Sequence, residues 1–150
     1  MNIDIFTDGS LIRKKNDVYC GYGIYFPNGE NDNISEKFDK GLITNNRAEL
    51  YAIYKSLKIC KKILKEKEIK KINIYSDSEY SIKTLTIWYK NWIKNGKDYK
   101  NKDIIDKTIK LINKLNNVNF IHIKAHTGEN DYYSLSNNQA DELAKGGALK

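Results

Sequence analysis

At residue 44 the hydrophobic pattern of the chain changes period, and that change limits the folds open to it. Upstream, segments 2–8 and about 19–26 carry β-branched and aromatic residues on either side of the charged stretch 13-RKKND-17, and they read as antiparallel strands. A third strand is expected near 33–40. From 44-TNNRAELYAIYKSLKICKKILKEKE-68 onward, Leu50, Ile53, Leu57, Cys60 and Leu64 recur at three- and four-residue steps, which predicts an amphipathic helix. Asn46 is its candidate N-cap, and Glu49, three residues on, can reach back as in a capping box. A strand over 71–76 follows, then a helix from about 79 to 94 with apolar face Ile82, Leu85, Tyr89 and Ile93, closed by Gly96. A helix over 102–116, a strand over 118–124 and a final helix over 137–146, ended by Gly146 and Gly147, complete the order. Three early strands followed by αβ units imply an α/β fold, a mixed sheet covered by helices.

The length of 150 residues fits one domain. Its 26 Lys+Arg against 19 Asp+Glu leave a net charge of +7, which suits a polyanionic partner such as nucleic acid. A general bias toward Lys, Asn and Ile would raise the charge without any binding role. Cys20 and Cys60 are far apart with no C-x-x-C spacing, so a zinc site or redox pair is not indicated and reduced thiols in or near the core are expected. The N-terminal residues include Asp4 and Asp8 and lack a basic start, unlike a signal peptide, and no run of 18 apolar residues occurs. A soluble protein of a reducing, cytoplasmic compartment is the expectation.

Two apolar runs, 5-IFTDGS-10 and 72-INIYSDSE-79, lead straight into an aspartate. Turn chemistry explains either alone, because Asp, Gly and Ser suit tight backbone geometry. Glu49 in the first turn of one predicted helix and Asp141 in the first turn of the last raise the count of carboxylates at element ends to four. Each again has a structural explanation as a cap or a partner of the helix dipole. Gathered at one end of a sheet, however, four carboxylates would repel one another and resist ionisation unless a cation neutralised them. Mg²⁺ takes oxygen ligands and is usually completed by substrate phosphates. Two such ions roughly 3.5–4 Å apart activate a water and stabilise the leaving oxygen of a phosphodiester.

The segments 7-TDGS-10, 44-TNNRAEL-50, 76-SDSEY-80, 124-KAHTG-128 and 137-NNQADELA-144 resemble type 1 ribonuclease H, in family order and over nearly the whole chain. The resemblance implies a ribonuclease H-like fold, a five-stranded mixed sheet with helices on both faces. It also implies Mg²⁺-dependent cleavage of the RNA strand of an RNA–DNA hybrid, with Mn²⁺ as a substitute, leaving 5′-phosphate and 3′-hydroxyl ends. Asp8, Glu49, Asp77 and Asp141 then correspond to the metal-binding carboxylates, and His126 to a mobile histidine that assists proton transfer or product release. Thr44 corresponds to a DNA-phosphate contact, Asn45 and Asn46 to minor-groove contacts, and Ser78 and Glu79 to RNA-facing positions. Gly9 and Ser10 would let backbone approach the nucleic acid, Asn137 opens the last motif among the substrate contacts, and Trp88 resembles part of the DNA-strand channel. Glu79 departs from the Gln often found there, the basic protrusion is trimmed to 95-NGKDYKNK-102, and 129-ENDYYSLS-136 looks like an extension of the loop after His126. A monomer without an obligatory protein partner is expected. The alternative reading is a non-catalytic hybrid-binding module on the same fold, against which the complete carboxylate set argues; a strand transferase or exonuclease on this fold gives no reason for the T-N-N segment.

Overall fold

The computed structural model describes residues 1–150. Five strands, β1 (Asn2–Lys14), β2 (Asp17–Tyr25), β3 (Ile34–Lys37), β4 (Lys71–Ser76) and β5 (Val118–His122), form a sheet in the order β3-β2-β1-β4-β5. The first three run antiparallel, whereas β4 joins β1 and β5 joins β4 in parallel, so the sheet is mixed. The helices are α1 (Asn45–Ile63), α2 (Glu79–Lys83), α3 (Tyr89–Lys94), α4 (Lys102–Leu115) and α5 (Tyr132–Ala148). A π-turn at Thr84–Trp88 links α2 to α3, so the expected 79–94 helix is one rod with a widened turn.

Alternation along the strands divides the sheet into two faces. Ile3, Ile5, Ile24, Ile72 and Ile74 on one face meet Leu50, Ile53 and Leu57 of α1 in the main core. On the other face Phe6 stacks on Tyr75, ring centroids 4.5 Å apart, and packs with Ala140 of α5. Helices therefore cover both faces. Gly21 and Gly23 of β2 let the second layer come close: a Cβ on Gly23 would lie 2.4 Å from the Ala140 carbonyl oxygen, and one on Gly21 2.1 Å from the Ala148 nitrogen. Cys20 and Cys60 are both free and buried, as expected.

Several boundaries differ from the expectations, each for a visible reason. β1 does not stop at Asp8 but continues to Lys14, because β2 goes on pairing with it through Lys14 and Asp17 after β4 has ended. Thr44, not Asn46, caps α1: its Oγ1 accepts from the Arg47 amide at 3.1 Å, and Glu49 lies in the second turn as a buried carboxylate, outside any capping box. Leu64 is the C-cap of that helix and is 37% exposed, and Ile93 also faces solvent. β3 is limited to four residues. α5 starts at Tyr132, capped by Asp131, because Tyr132 packs edge-on against Phe6 and Tyr133 against Tyr75. Much of 129–136 is thus helix, not loop, and Asp141 lies in mid-helix rather than in a first turn. Gly146 and Gly147 are inside α5; a Cβ on Gly147 would lie 2.4 Å from the Glu36 carbonyl oxygen.

Gly23→Ala tests the close approach of α5. Since the atoms it would meet are backbone, the variant is expected to lose about 1–3 kcal/mol in urea unfolding; an unchanged midpoint would contradict this packing.

Candidate metal centre

β4 stops at Ser76, opposite Thr7 of β1, so the edge of β1 beyond that point is open toward β4. Asp8 and Asp77 are the first residues past the shared ladder. Asp8 is the cross-strand partner of Gly23 and so faces α5, while Gly9 faces α1. A Cβ on Gly9 would lie 2.8 Å from the Glu49 amide nitrogen, which shows how tightly α1 approaches the strand there. That approach brings Glu49 to the open edge. Carboxylate oxygens of Asp8, Glu49 and Asp77 all lie within 4.8 Å of one another.

Asp8 and Glu49 are each only 4% exposed. Burial first, and then the charge of Asp77, push the Asp8 carboxyl up to about 8, while Gly9 donating its amide to Oδ1 at 2.9 Å pulls in the other direction. Burial, followed by the charges of Asp8 and Asp77, holds Glu49 well above the ordinary carboxylate range. Glu49 Oε2 and Asn137 Oδ1 are buried without a hydrogen-bond partner. An orphaned buried acceptor is costly, and together with the carboxylates of Asp8 and Asp77 it makes the all-oxygen ligand set that a hard divalent cation prefers. The residues present therefore fit such an ion.

Asp141 stands outside the tight three. From α5 its charge adds to the upward push on Asp8, and its Oδ2 pairs with Lys145 Nζ at 3.0 Å. Asn137, buried at 2% exposure, donates from Nδ2 to Asp77 Oδ2 at 3.3 Å, and His122 Nε2 lies 3.2 Å from the Asp77 carbonyl oxygen. His126 is exposed, in the left-handed region with φ of 51°, on the segment between β5 and α5. Next to it Thr127 Oγ1 meets Ser134 Oγ at 2.7 Å and accepts from the Glu129 amide, tying this segment to α5.

Asn45 and Asn46 are exposed at the start of α1. Thr44 spends a lone pair on the cap, which leaves its own O–H free to donate. Ser78 caps α2, accepting from the Ser81 amide and donating to Ser81 Oγ, and Glu79 pairs with Lys83. Ser10 and Gly9 are half-buried along β1. Trp88 is half-buried between Tyr80 and Trp92, centroids 6.2 Å from each, and Trp92 in turn stacks on Tyr99. Lys145, four residues after Asp141 on one helix face, was readable from spacing. Arg47 was not. Its buried guanidinium grips both oxygens of Asp103, at 2.9 and 2.7 Å, and the Lys40 carbonyl at 2.9 Å, locking the start of α1 to α4 through a partner 56 residues away.

Residues 1–149 match the RNase H family, and the chain belongs to it. That family is one of hydrolytic endoribonucleases. The probable ribonuclease H of Acanthamoeba polyphaga mimivirus is 37% identical over 136 residues, covering 87% of this chain and 58% of that protein. The ribonuclease H of Schizosaccharomyces pombe is 37% identical over 151 residues, covering 96% and 52% respectively. The chain thus spans a little over half the length of these curated relatives. Among solved structures, the PFV RNase H domain in solution superposes with a TM-score of 0.74 at 22% identity, over 98% of this chain and 94% of that one, and shares the fold.

The buried carboxyls set a sign for stability against pH. With Asp8 moved from the ordinary 3.8 to about 8, the folded chain holds a proton that the unfolded chain has already released, so stability falls as pH rises through that interval. In EDTA the Tm is expected to drop between those limits, and Asp8→Asn to exceed the parent at the upper end by roughly 3 °C or more, the shift that about 1 kcal/mol gives a chain of this size. A variant less stable than its parent there would contradict the burial of charge.

Proposed function

We propose that this chain hydrolyses the RNA strand of RNA–DNA hybrids in a divalent-cation-dependent reaction, leaving 5′-phosphate and 3′-hydroxyl ends. The observation that carries the reading is the buried group Asp8, Glu49 and Asp77, with an unpartnered Glu49 oxygen, in a member of the RNase H family. These three would hold the cation, Mg²⁺ or in its place Mn²⁺, with Asp141 contributing from α5. When bound, a pair of such ions supplies an activated water and charge stabilisation of the leaving oxygen.

The rest of the work falls to the chain itself. Asp8 lies at the centre because β1 carries it between α5 and the open sheet edge. Asn137 holds Asp77 by donating to one carboxylate oxygen, which restricts the rotation of that ligand. Lys145 orients Asp141 through their ion pair along one helix face. His126, exposed on the segment between β5 and α5, exchanges a proton with the leaving group or eases product departure.

Substrate choice rests on the 2′-hydroxyls, which lie across the wide minor groove of an A-like duplex. Asn45 and Asn46, exposed in the first turn of the helix that carries Glu49, offer both donors and acceptors for that contact. Thr44 donates its free hydroxyl to a phosphate of the DNA strand. Gly9 and Ser10 line the strand beside the scissile position, and Ser78 and Glu79 face the RNA from the start of α2. Trp88 offers a ring edge to the DNA strand. We further propose that residues 1–150 act as one domain and as a monomer; no helix is long and apolar enough to cross a membrane, and two free buried thiols fit a reducing, cytoplasmic setting.

The test is cleavage of an end-labelled hybrid in Mg²⁺ beside single-stranded RNA, duplex RNA and duplex DNA. Only the hybrid is expected to be cut. Asp77→Asn is expected to abolish turnover while leaving the unfolding midpoint near that of the parent, and His126→Ala to slow turnover by roughly 10²-fold or less without loss. Hybrid binding without cleavage in Mg²⁺ or Mn²⁺ would favour a binding module, and cleavage of duplex DNA would point to a different nuclease.

A further inference from the structure

α1 and α4 meet along a groove of about 360 Å³ lined by Lys58, Lys61, Lys62, Lys65, Lys107, Lys110 and Lys114, with only Tyr54 and Leu111 as apolar lining. No carboxylate faces it. All seven lysines are exposed, and none takes part in an ion pair. The acids on α4 are engaged elsewhere, Asp103 by Arg47 and Asp106 by the Tyr99 hydroxyl, and α1 carries no acid besides the buried Glu49. Lys58 and Lys107 sit over the Tyr54 ring at 5.6 and 6.0 Å, so the two helices aim ammonium groups at a common line.

These seven equal the whole formal excess of the chain: without them, 19 basic residues would face 19 acidic ones. A general lysine bias would spread the excess; here one groove accommodates as many as the imbalance requires. Holding so many like charges side by side costs stability unless a polyanion relieves it.

We propose that this groove binds the phosphate backbone of nucleic acid, independently of the carboxylate centre. Lys58 and Lys65, like Lys107 and Lys114, are seven steps apart, roughly 10 Å at the helical rise of 1.5 Å per residue, with Lys65 in the turn just past the end of α1 at Ile63, and ~10 Å of duplex axis presents about three phosphates per strand. Two rows of lysines along a groove of that length fit one strand's backbone lying between them. Binding is sequence-independent, because the groove meets the backbone through ammonium groups, which hold phosphate without carrying sequence information, and the one aromatic in its lining, Tyr54, lies under Lys58 and Lys107. A lining of seven lysines without a carboxylate also distinguishes the surface from the core of a protein interface, which is depleted in Lys, and matches the positive character of nucleic-acid interfaces. Lys61 lies twelve residues beyond Glu49, roughly 18 Å along α1, so the groove contacts a segment away from the one being cleaved.

The experiment titrates the full chain, in EDTA to prevent cleavage, against a fluorescent 24-base-pair DNA duplex and the matching RNA–DNA hybrid at several KCl concentrations. The parent is compared with Lys61→Gln/Lys110→Gln/Lys114→Gln and with a charge-matched control, Lys14→Gln/Lys37→Gln/Lys71→Gln, all at exposed positions. The groove triple is expected to weaken duplex binding at least tenfold and to lower the salt slope by about 2 to 3, at ~0.9 per lost phosphate contact, while the control changes the slope by less than about 1. Equal losses in the two triples, or none in either, would overturn the proposal, as would groove-dependent binding of poly-glutamate as strong as that of DNA. Hybrid cleavage is not measured here, so failure of the catalytic reading and failure of this one are separately visible.

Discussion

Everything at the metal centre depends on how closely two helices can lie on one strand pair. Ordinary side chains act as a spacer between a helix and the sheet it covers; here the glycines at 9, 21 and 23 remove that spacer on both faces. On one side α1 comes down on Gly9, and Glu49 arrives with it. On the other, α5 settles against Gly21 and Gly23, where its own Ala140, Ala144, Gly147 and Ala148 keep the contact backbone-to-backbone. Asp8, the residue between them, has the Glu49 carboxyl of α1 within reach and feels the charge of Asp141 from α5. The carboxylate group is thus a by-product of close packing as much as of the acidic residues themselves.

The same packing makes the centre electrostatically uncomfortable. Two carboxyls at 4% exposure, a third within reach and a fourth on α5 cannot all ionise cheaply, and the chain compensates with one lysine, the Asn137 side-chain amide and the Gly9 backbone amide. Such an arrangement is a poor way to stabilise a fold and a good way to make a site that welcomes a small multivalent cation. Arg47 provides the counterweight at a distance. By gripping Asp103 and the Lys40 carbonyl it fixes the first turns of α1, so Glu49 cannot relax away from its neighbours by shifting the helix.

Much of this was readable from residues in order. The change of period at 44, the αβ alternation after it and the four acidic positions were all visible, because hydrophobic spacing and short motifs are local properties. What was hidden depended on partners far away in the chain. The extension of β1 through Gly9 to Lys14 is imposed by β2, although charged residues there weaken the strand pattern. The early start of α5 is imposed by Phe6 and Tyr75, which accept the rings of Tyr132 and Tyr133. Asn46 looked like a cap because its side chain suits the role; Thr44 took it because the helix begins two residues earlier. Neither Arg47 nor the burial of Asn137 leaves a trace in spacing, since each is defined by a contact more than 50 residues distant.

The segregation of charge has a dynamic consequence. A body whose remaining residues balance, and whose surplus is concentrated between two helices, experiences torque in the field of a polyanion before it touches it. Rotation is fast compared with diffusional travel over the same distance, so such a molecule lands in a preferred attitude, lysine face first. Its first contact with a long anionic chain is then a loose tether, from which the acidic mouth at the far end of α1, itself repelled by phosphate until metal offsets its charge, can sample neighbouring stretches by pivoting instead of by colliding anew.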